Sequence, residues 1–419
     1  MIEFNESDRD KLITAIYNSY ISSSDFNGLP VYEFESKTSF KYEDSVEILR
    51  ELIKDELICV LDSNTDINPH IIRRGFEPIE IQWVKITNTP DSHLCFYPSK
   101  KYLERCIDKT LYASKPYNLY LVLGNAQLSY RSFEISVLER FRNDPRYYYT
   151  NNDISGSIFF NEGNAPNDKT MLETFGFSYN ESFDRAVAVF ICYLAELSPE
   201  QQMYWKSYEL EGNYRLHPDY YNSSILGNWP EREPICDAIL EEIDVINKMC
   251  QLMKRPTLFH DSFRGENRPQ NFSFLIRPTL KEFNDFIHTF DKLLSDNINK
   301  KFFLNDIEYD SIDDNGQKHQ KGTIILLEEW FAKFFKPQDI KPLEDEFATI
   351  REIRKQRQKP AHTIQADNFD QKYFKEQRQL LINGYSTVRT FRQSFYNHPL
   401  VRNSIDIPEW LFEGKIWDI

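Results

Sequence analysis

The sequence predicts a mainly α, multidomain protein: an acidic α+β region over residues 1–250, followed by a four/five-helix bundle over 251–419. Three observations carry this. At 419 residues the chain exceeds the usual size of one domain. Its charge is divided: residues 1–250 hold 24 Lys+Arg against 40 Asp+Glu, 24 − 40 = −16, and 251–419 hold 26 against 25, a net of +1. The apolar pattern also changes, from short strand-like runs to sustained helical periodicity over roughly the last 150 residues.

The apolar fraction of 41% and aromatic fraction of 15% are enough for a sizeable core. A net charge of −15 opposes any role that coats nucleic acid or an anionic membrane with the whole surface. Six cysteines, at 59, 95, 106, 192, 236 and 250, form no C-x-x-C pair, which predicts reduced, mostly buried thiols in a cytoplasmic protein. The start, "MIEFNESDRD", is polar and acidic, so no signal peptide is expected, and no run approaches 18 apolar residues, so no membrane contact is expected. Thirteen glycines predict no long flexible linkers.

Residues 6–21 and 43–54 read as helices, the second with Val46, Leu49 and Ile53 on one face, and "LICVL" at 57–61 reads as a strand. Helix then strand suits a winged-helix-like segment over 43–74; an ordinary helix–strand connection is the alternative. The runs "IEIQWVKIT", "YNLYLVLG" and "SGSIFF" between 79 and 160 read as strands, and "SFEISVLERFRNDP" as a helix stopped by Asn-Asp-Pro. "RAVAVFICYLAEL" reads as a helix ending near Leu197. Ser198, with Pro199 and Gln201, is the capping box of the next. "DAILEEIDVINKMCQLM" is a further amphipathic helix.

Four antiparallel helices follow. Thr279 and Glu282 stand at capping-box spacing before the stripe Phe283, Ile287, Phe290 and Leu294. "DSIDDNGQKHQKG" is a loop and "TIILLEEWFAKFF" a short helix. The next helix has the stripe Leu343, Phe347 and Ile350. The last runs along Tyr373, Gln377, Leu380, Gly384, Val388, Phe391 and Phe395 to His398-Pro399.

The third of these helices carries the chemistry. Its stripe continues at the same steps into Arg354 and Arg357, so its buried face turns into guanidinium where the bundle opens or a partner meets it. Pro360 ends or kinks the helix near Gln358 and releases His362 from helical register. An imidazole can take a proton from a 2′-hydroxyl or return one to a leaving 5′-oxygen. A guanidinium can hold the charge that grows on the phosphate. Arg351, Lys355 and Lys359 would track an RNA backbone.

A helical bundle with R-x4-H in this basic context resembles the HEPN superfamily, over roughly residues 275–400. The resemblance implies a four/five-helix core, with Arg357 and His362 as catalytic residues and Gln358 as the polar residue after the arginine. It further implies metal-independent endoribonuclease activity leaving a 2′,3′-cyclic phosphate, no cofactor, and a composite site formed by a homodimer. A toxin or antiviral-defence role restrained by the N-terminal region, which would bind a trigger or regulatory protein, follows by the same resemblance. The chain holds two further arginine–histidine spacings, Arg255-x4-His260 and Arg392-x5-His398, of which neither combines a bundle-helix end with a charge cluster.

Asp296 and Asn297 could support the site by orienting the histidine or holding a 2′-hydroxyl; otherwise they cap and end their helix. "NYRLHPDYYNSS" and "RNDPRYYYTNND" could stack bases or anchor loops through buried tyrosine rings. His217 with Asp219 lacks a third metal ligand. No phosphate-binding loop, G-x-S-x-G elbow or zinc pattern is present, which opposes nucleotide hydrolysis and serine-hydrolase chemistry. A catalytically silent dimerisation and RNA-binding regulator is the alternative to the nuclease, and a DNA-binding regulator using 43–74 is a third reading.

Overall fold

The computed structural model describes residues 6–23, 25–64, 71, 76–87, 91–161, 170–312, 316–337, 339–358, 367–402 and 404–419. The protein is mainly α with several small sheets, in two compact units. The first comprises Met1–Asn151, Ser155–Ser178 and Ala186–Gly212; the second comprises Asn152–Ile154, Tyr179–Arg185 and Asn213–Ile419. The division falls after Gly212 where the change of charge suggested 250. Charge is a surface property, and helix packing, which decides the unit, follows the apolar faces instead.

The first unit begins α1 (Glu6–Ser22), β1 (Leu29–Pro30), α2 (Val31–Thr38), α3 (Tyr42–Lys54), β2 (Ile58–Asp62), α4 (Ile79–Lys85), β3 (Leu94–Pro98) and α5 (Lys100–Cys106). The three strands form a sheet in the order β1-β3-β2, antiparallel at both pairings. Phe34, Tyr42, Leu49, Leu52 and Phe96 are among the residues of its core. Next come α6 (Pro116–Val122), α7 (Glu139–Arg142), α8 (Ile191–Glu196) and α9 (Pro199–Ser207), with strands β4 (Tyr130–Glu134), β5 (Tyr147–Asn151), β6 (Ser155–Phe160), β7 (Leu172–Tyr179) and β8 (Arg185–Phe190). These strands lie in the order β4-β8-β7-β6-β5.

Four expectations change here. "IEIQWVKIT" is helix α4, not a strand: Ile81 and Trp83 face outward, and the inward residue is Gln82, which accepts from Val60 N at 2.9 Å. "YNLYLVLG" is helix α6, begun by Pro116 at its first position; its buried residues Tyr117, Leu121 and Val122 have helical spacing. "RAVAVF" is strand β8, buried on both faces between β4 and β7, so its continuous apolar run carries no period. Within "SFEISVLERFRNDP" only Glu139–Arg142 is α-helix, after the end of β4 and a 3-10 turn. The Ser198 cap forms as read, its hydroxyl accepting from Gln201 N.

The second unit contains α10 (Pro218–Ile225), α11 (Ile235–Leu252), α12 (Leu280–Asp291), α13 (Thr323–Phe334), α14 (Lys341–Gln358), α15 (Gln371–Tyr396) and α16 (Glu409–Glu413). Helix α11 packs along α15, so the bundle of α12 to α15 gains a fifth helix from before residue 251. Its core is aromatic: Phe331 lies 5.0 Å from Phe391, and Phe347 and Phe395 close the cluster. Gly384 of α15 is needed for close approach, because a Cβ there would stand 2.3 Å from Cζ of Phe290. The expected loop 310–322 includes two short antiparallel strands, Asp310–Ile312 and Lys318–Gln320.

Candidate functional site

The arginines of α14 meet carboxylates within their own unit rather than emerging from it. The buried stripe of α14 is Leu343, Phe347, Ile350 and Ile353, and Arg354 and Arg357 follow it half-buried. Arg357 Nη1 donates to Asp291 Oδ2 at 2.6 Å and to Asp296 Oδ2 at 2.7 Å. Arg354 Nη1 reaches Asp296 Oδ1 at 3.3 Å.

The backbone explains why one nitrogen reaches two acids five positions apart. In an α-helix, residues five apart point about 140° away from each other. Here α12 passes at Lys292 into a single π-helical turn, Lys292–Asp296, whose wider winding brings i and i+5 to one side. The sequence reading of one helix continuing through this stretch is corrected accordingly. Asp291 is fully buried, and its Oδ1 has no hydrogen-bond partner among the described residues. Burial raises the pKa of Asp296, but the hydrogen bond and charge of Arg357, helped by Arg354, outweigh it and hold the carboxyl below its ordinary value. The hydrogen bonds that Arg357 donates to the same two acids push its guanidinium pKa up.

The remaining expected RNA contacts separate. Arg351 is paired with Glu328, and Lys355 and Gln358 are exposed. Lys359 and His362 lie outside the described residues. Asn297 does not join Asp296: its side chain accepts from Asp261 N at 3.0 Å and donates to Asp261 O at 2.8 Å, tying down the turn after the π segment.

The other two arginine–histidine spacings are structural at the arginine. Arg255 pairs with Asp306 and donates to Phe302 O, and His260 is exposed. Arg392 is buried in α15 and grips Glu242 of α11 through two hydrogen bonds, at 2.7 and 3.2 Å. His398 is exposed, with Nδ1 accepting from Leu400 N. The tyrosine clusters mostly anchor: Tyr147 and Tyr220 are buried and Tyr149 stacks on Phe175, whereas Tyr148 stays exposed.

His217 is a buried helix cap. Its Nδ1 accepts from Asp219 N at 3.2 Å at the start of α10, and its ring lies 4.9 Å from that of Trp417. Burial first, and the charge of Arg185 second, lower its pKa to about 4. The neutral ring therefore favours the folded state above the unfolded value near 6.5, and this contribution is lost as pH falls from there toward 4. Between pH 7.5 and 5.5 the wild type is expected to lose about 1 kcal/mol more stability than His217→Gln, read from urea midpoints. Equal losses in the two proteins would refute this role.

Sequence reasoning missed Asp291 and Glu242. Both had a signal: Asp291 stands four residues after Ile287 of the core stripe, and Glu242 three after Ile239, so each lies on a buried face. Among the described residues no three His, Cys, Asp or Glu side chains gather as metal ligands, all six cysteines are free thiols, and no helix is long and apolar enough to cross a membrane. Comparison with protein-family models, with curated proteins and with solved structures finds no match to this chain.

Proposed function

We propose that the second unit is a HEPN-like bundle acting as a metal-independent endoribonuclease, with Arg357 and His362 as its catalytic pair. The observation that carries the reading is Arg357 itself. It sits at the end of a bundle helix, held by a buried carboxylate and its neighbour, at the head of the segment that bears His362. Both bonds use Nη1, and 28% of the side chain stays exposed, so the rest of the fork can meet a phosphate oxygen. Such anchoring orients a guanidinium before substrate arrives. In the reaction the 2′-oxygen bonds to phosphorus and the bond to the 5′-oxygen breaks. One imidazole takes the 2′-hydroxyl proton and another, from a second protomer, protonates the leaving oxygen, giving a 2′,3′-cyclic phosphate. RNA is the substrate and a homodimer the active form.

The second reading is a silent dimerisation and RNA-binding regulator. It is favoured by the same two carboxylates, which lend negative charge to a place where a phosphate must bind. Purified protein incubated with labelled RNA in EDTA separates the two. Cleavage with a cyclic-phosphate end, reduced at least a hundredfold by Arg357→Ala and by His362→Ala, is the expected result. Salt-dependent RNA binding without cleavage would favour the regulator, and full activity in His362→Ala would remove the assigned base.

For the front of the first unit we infer a winged-helix-like layer built from the described elements α1 to β3, which extends on both sides of the expected segment 43–74. Its support is the order α1-β1-α2-α3-β2 followed by β3, with the sheet order β1-β3-β2; helix α4, between β2 and β3, is an addition to a winged-helix order. In DNA-binding relatives of this arrangement the second helix of the helix-turn-helix enters the major groove. Here that helix, α3, exposes Glu43, Asp44, Glu47 and Glu51, and Arg50 is engaged with Trp83 of α4, 4.3 Å from its ring. This face repels phosphate, so the layer suits a regulatory or trigger-sensing role on protein rather than DNA.

A further inference from the structure

Helix α4 reverses the usual amphipathic order. Its inward positions are Ile79, which packs on the core of the sheet layer, Gln82, and the buried Ile86 at its end, spaced three and four residues apart. Gln82 Oε1 accepts from Val60 N of β2, an edge strand of its sheet, at 2.9 Å, and Nε2 donates to Glu77 O at 2.5 Å. These contacts cover the edge and satisfy the buried amide, which completes the structural role of the helix. Its other apolar residues nevertheless face outward: Ile81 is 47% exposed, Trp83 42% and Val84 66%. Three neighbouring apolar side chains on a helix of seven residues form a patch rather than scattered exposure.

The surroundings of the patch are acidic. Helix α3, which packs beside α4, exposes Glu43, Asp44, Glu47 and Glu51, and Glu77 and Glu80 are exposed at the entry to α4. Arg50 is already committed: its guanidinium lies 4.3 Å from the Trp83 ring, Nη1 donates to Glu47 at 3.1 Å and Nη2 to Ile86 O at 2.7 Å. The other bases of the two helices are Lys54, in the last turn of α3, and the half-buried Lys85. This sign selects the occupant. An anionic membrane or a nucleic acid would be repelled. A second copy docking the same face on itself would set acid against acid. A partner helix with apolar residues at three- and four-residue spacing, flanked by Lys or Arg, matches both the patch and its charge.

We propose that the α3–α4 face docks a basic amphipathic helix of a partner protein, its apolar side on Ile81, Trp83 and Val84 and its cations toward Glu43, Glu47 and Glu80. The inference rests on the reading of this layer as a module that acts on protein, and it names the chemistry that the layer would sense. It is independent of RNA cleavage, because its evidence and its test concern binding alone.

The test is fluorescence anisotropy of the full chain with a labelled helical peptide carrying Leu on one side and Lys on the other. The comparisons are a scrambled Leu/Lys peptide of equal composition, a Leu/Glu peptide and a labelled DNA duplex. The amphipathic Leu/Lys peptide is expected to bind about tenfold or more tightly than either other peptide. Ile81→Ser combined with Val84→Ser is expected to weaken it about tenfold while circular dichroism stays unchanged. Glu43→Gln combined with Glu47→Gln is expected to weaken it and to flatten its dependence on salt. Equal binding by the scrambled peptide, or binding unaltered by the Ile81 and Val84 substitutions, overturns the proposal. A wild-type dimer that those substitutions dissociate, seen by sedimentation velocity, overturns it in favour of a second copy. Absence of peptide binding sinks the proposed occupant alone. Duplex binding that strengthens in the Glu43 and Glu47 variant would place DNA on α3 and sink the protein-sensing reading as well.

Discussion

Replacing Arg392 with alanine is expected to destabilise the helical unit by about 3–5 kcal/mol. The guanidinium is 3% exposed and Glu242 is fully buried, and their paired hydrogen bonds join α15 to α11. Removing one partner leaves a carboxylate in a medium that cannot solvate it. Burial already raises the Glu242 pKa, opposed by the hydrogen bond and charge of Arg392, so losing the arginine drives it further up. The sign follows. A raised carboxyl pKa costs stability above the unfolded value, and the cost fades as pH falls toward that value. The deficit of Arg392→Ala should thus be largest near pH 7 and shrink toward pH 5. The double variant Arg392→Met with Glu242→Leu should recover most of it, because apolar replacement of both partners removes the unpaired charge. Urea unfolding at the two pH values measures each effect. A single-variant loss below about 1 kcal/mol would place the pair with ordinary surface pairs and sink the argument.

Arg185→Met is expected to cost about 3 kcal/mol or more, and Arg185→Lys nearly as much. The side chain is 1% exposed. Nη1 donates to Leu275 O at 3.0 Å and Nη2 to Asp153 O at 2.8 Å, while the guanidinium faces the rings of Phe274 and Phe374. Methionine fills the space but leaves two buried carbonyls without these donors. It also removes a charge that, with Arg268, opposes the effect of burial on Asp153. A lysine ammonium keeps the charge but cannot span both carbonyls in the fixed geometry of the fork. Thermal unfolding followed by near-ultraviolet circular dichroism distinguishes the cases. Stability of Arg185→Lys equal to wild type would show that charge alone, not the two-armed geometry, does the holding.

The two arginines show what a one-dimensional reading can and cannot reach. Arg392 belonged to an R-x5-H spacing that chemistry could have used; its partner, 150 positions earlier in sequence, makes it structural. Arg357 also found carboxylates, but at the mouth of the bundle, with part of its surface still accessible. Spacing cannot separate these cases, because burial and partner identity depend on which helix lies opposite.

By itself the sequence determined the long amphipathic helices and their caps. Ser198 and Thr279 cap as their spacing indicates, and Phe347, Ile350, Val388 and Phe391 are buried as the 3.6-residue period requires. These are local properties, set by backbone hydrogen bonds and by which side chains share a face. The tertiary structure alone decided whether 79–85, 117–122 and 185–190 were helix or strand, since short apolar runs suit either and the surrounding burial chooses. It alone decided that a π turn brings Asp291 and Asp296 to one guanidinium, and that α11 joins the bundle. Those outcomes depend on contacts between residues distant in sequence, whose energies no local pattern contains.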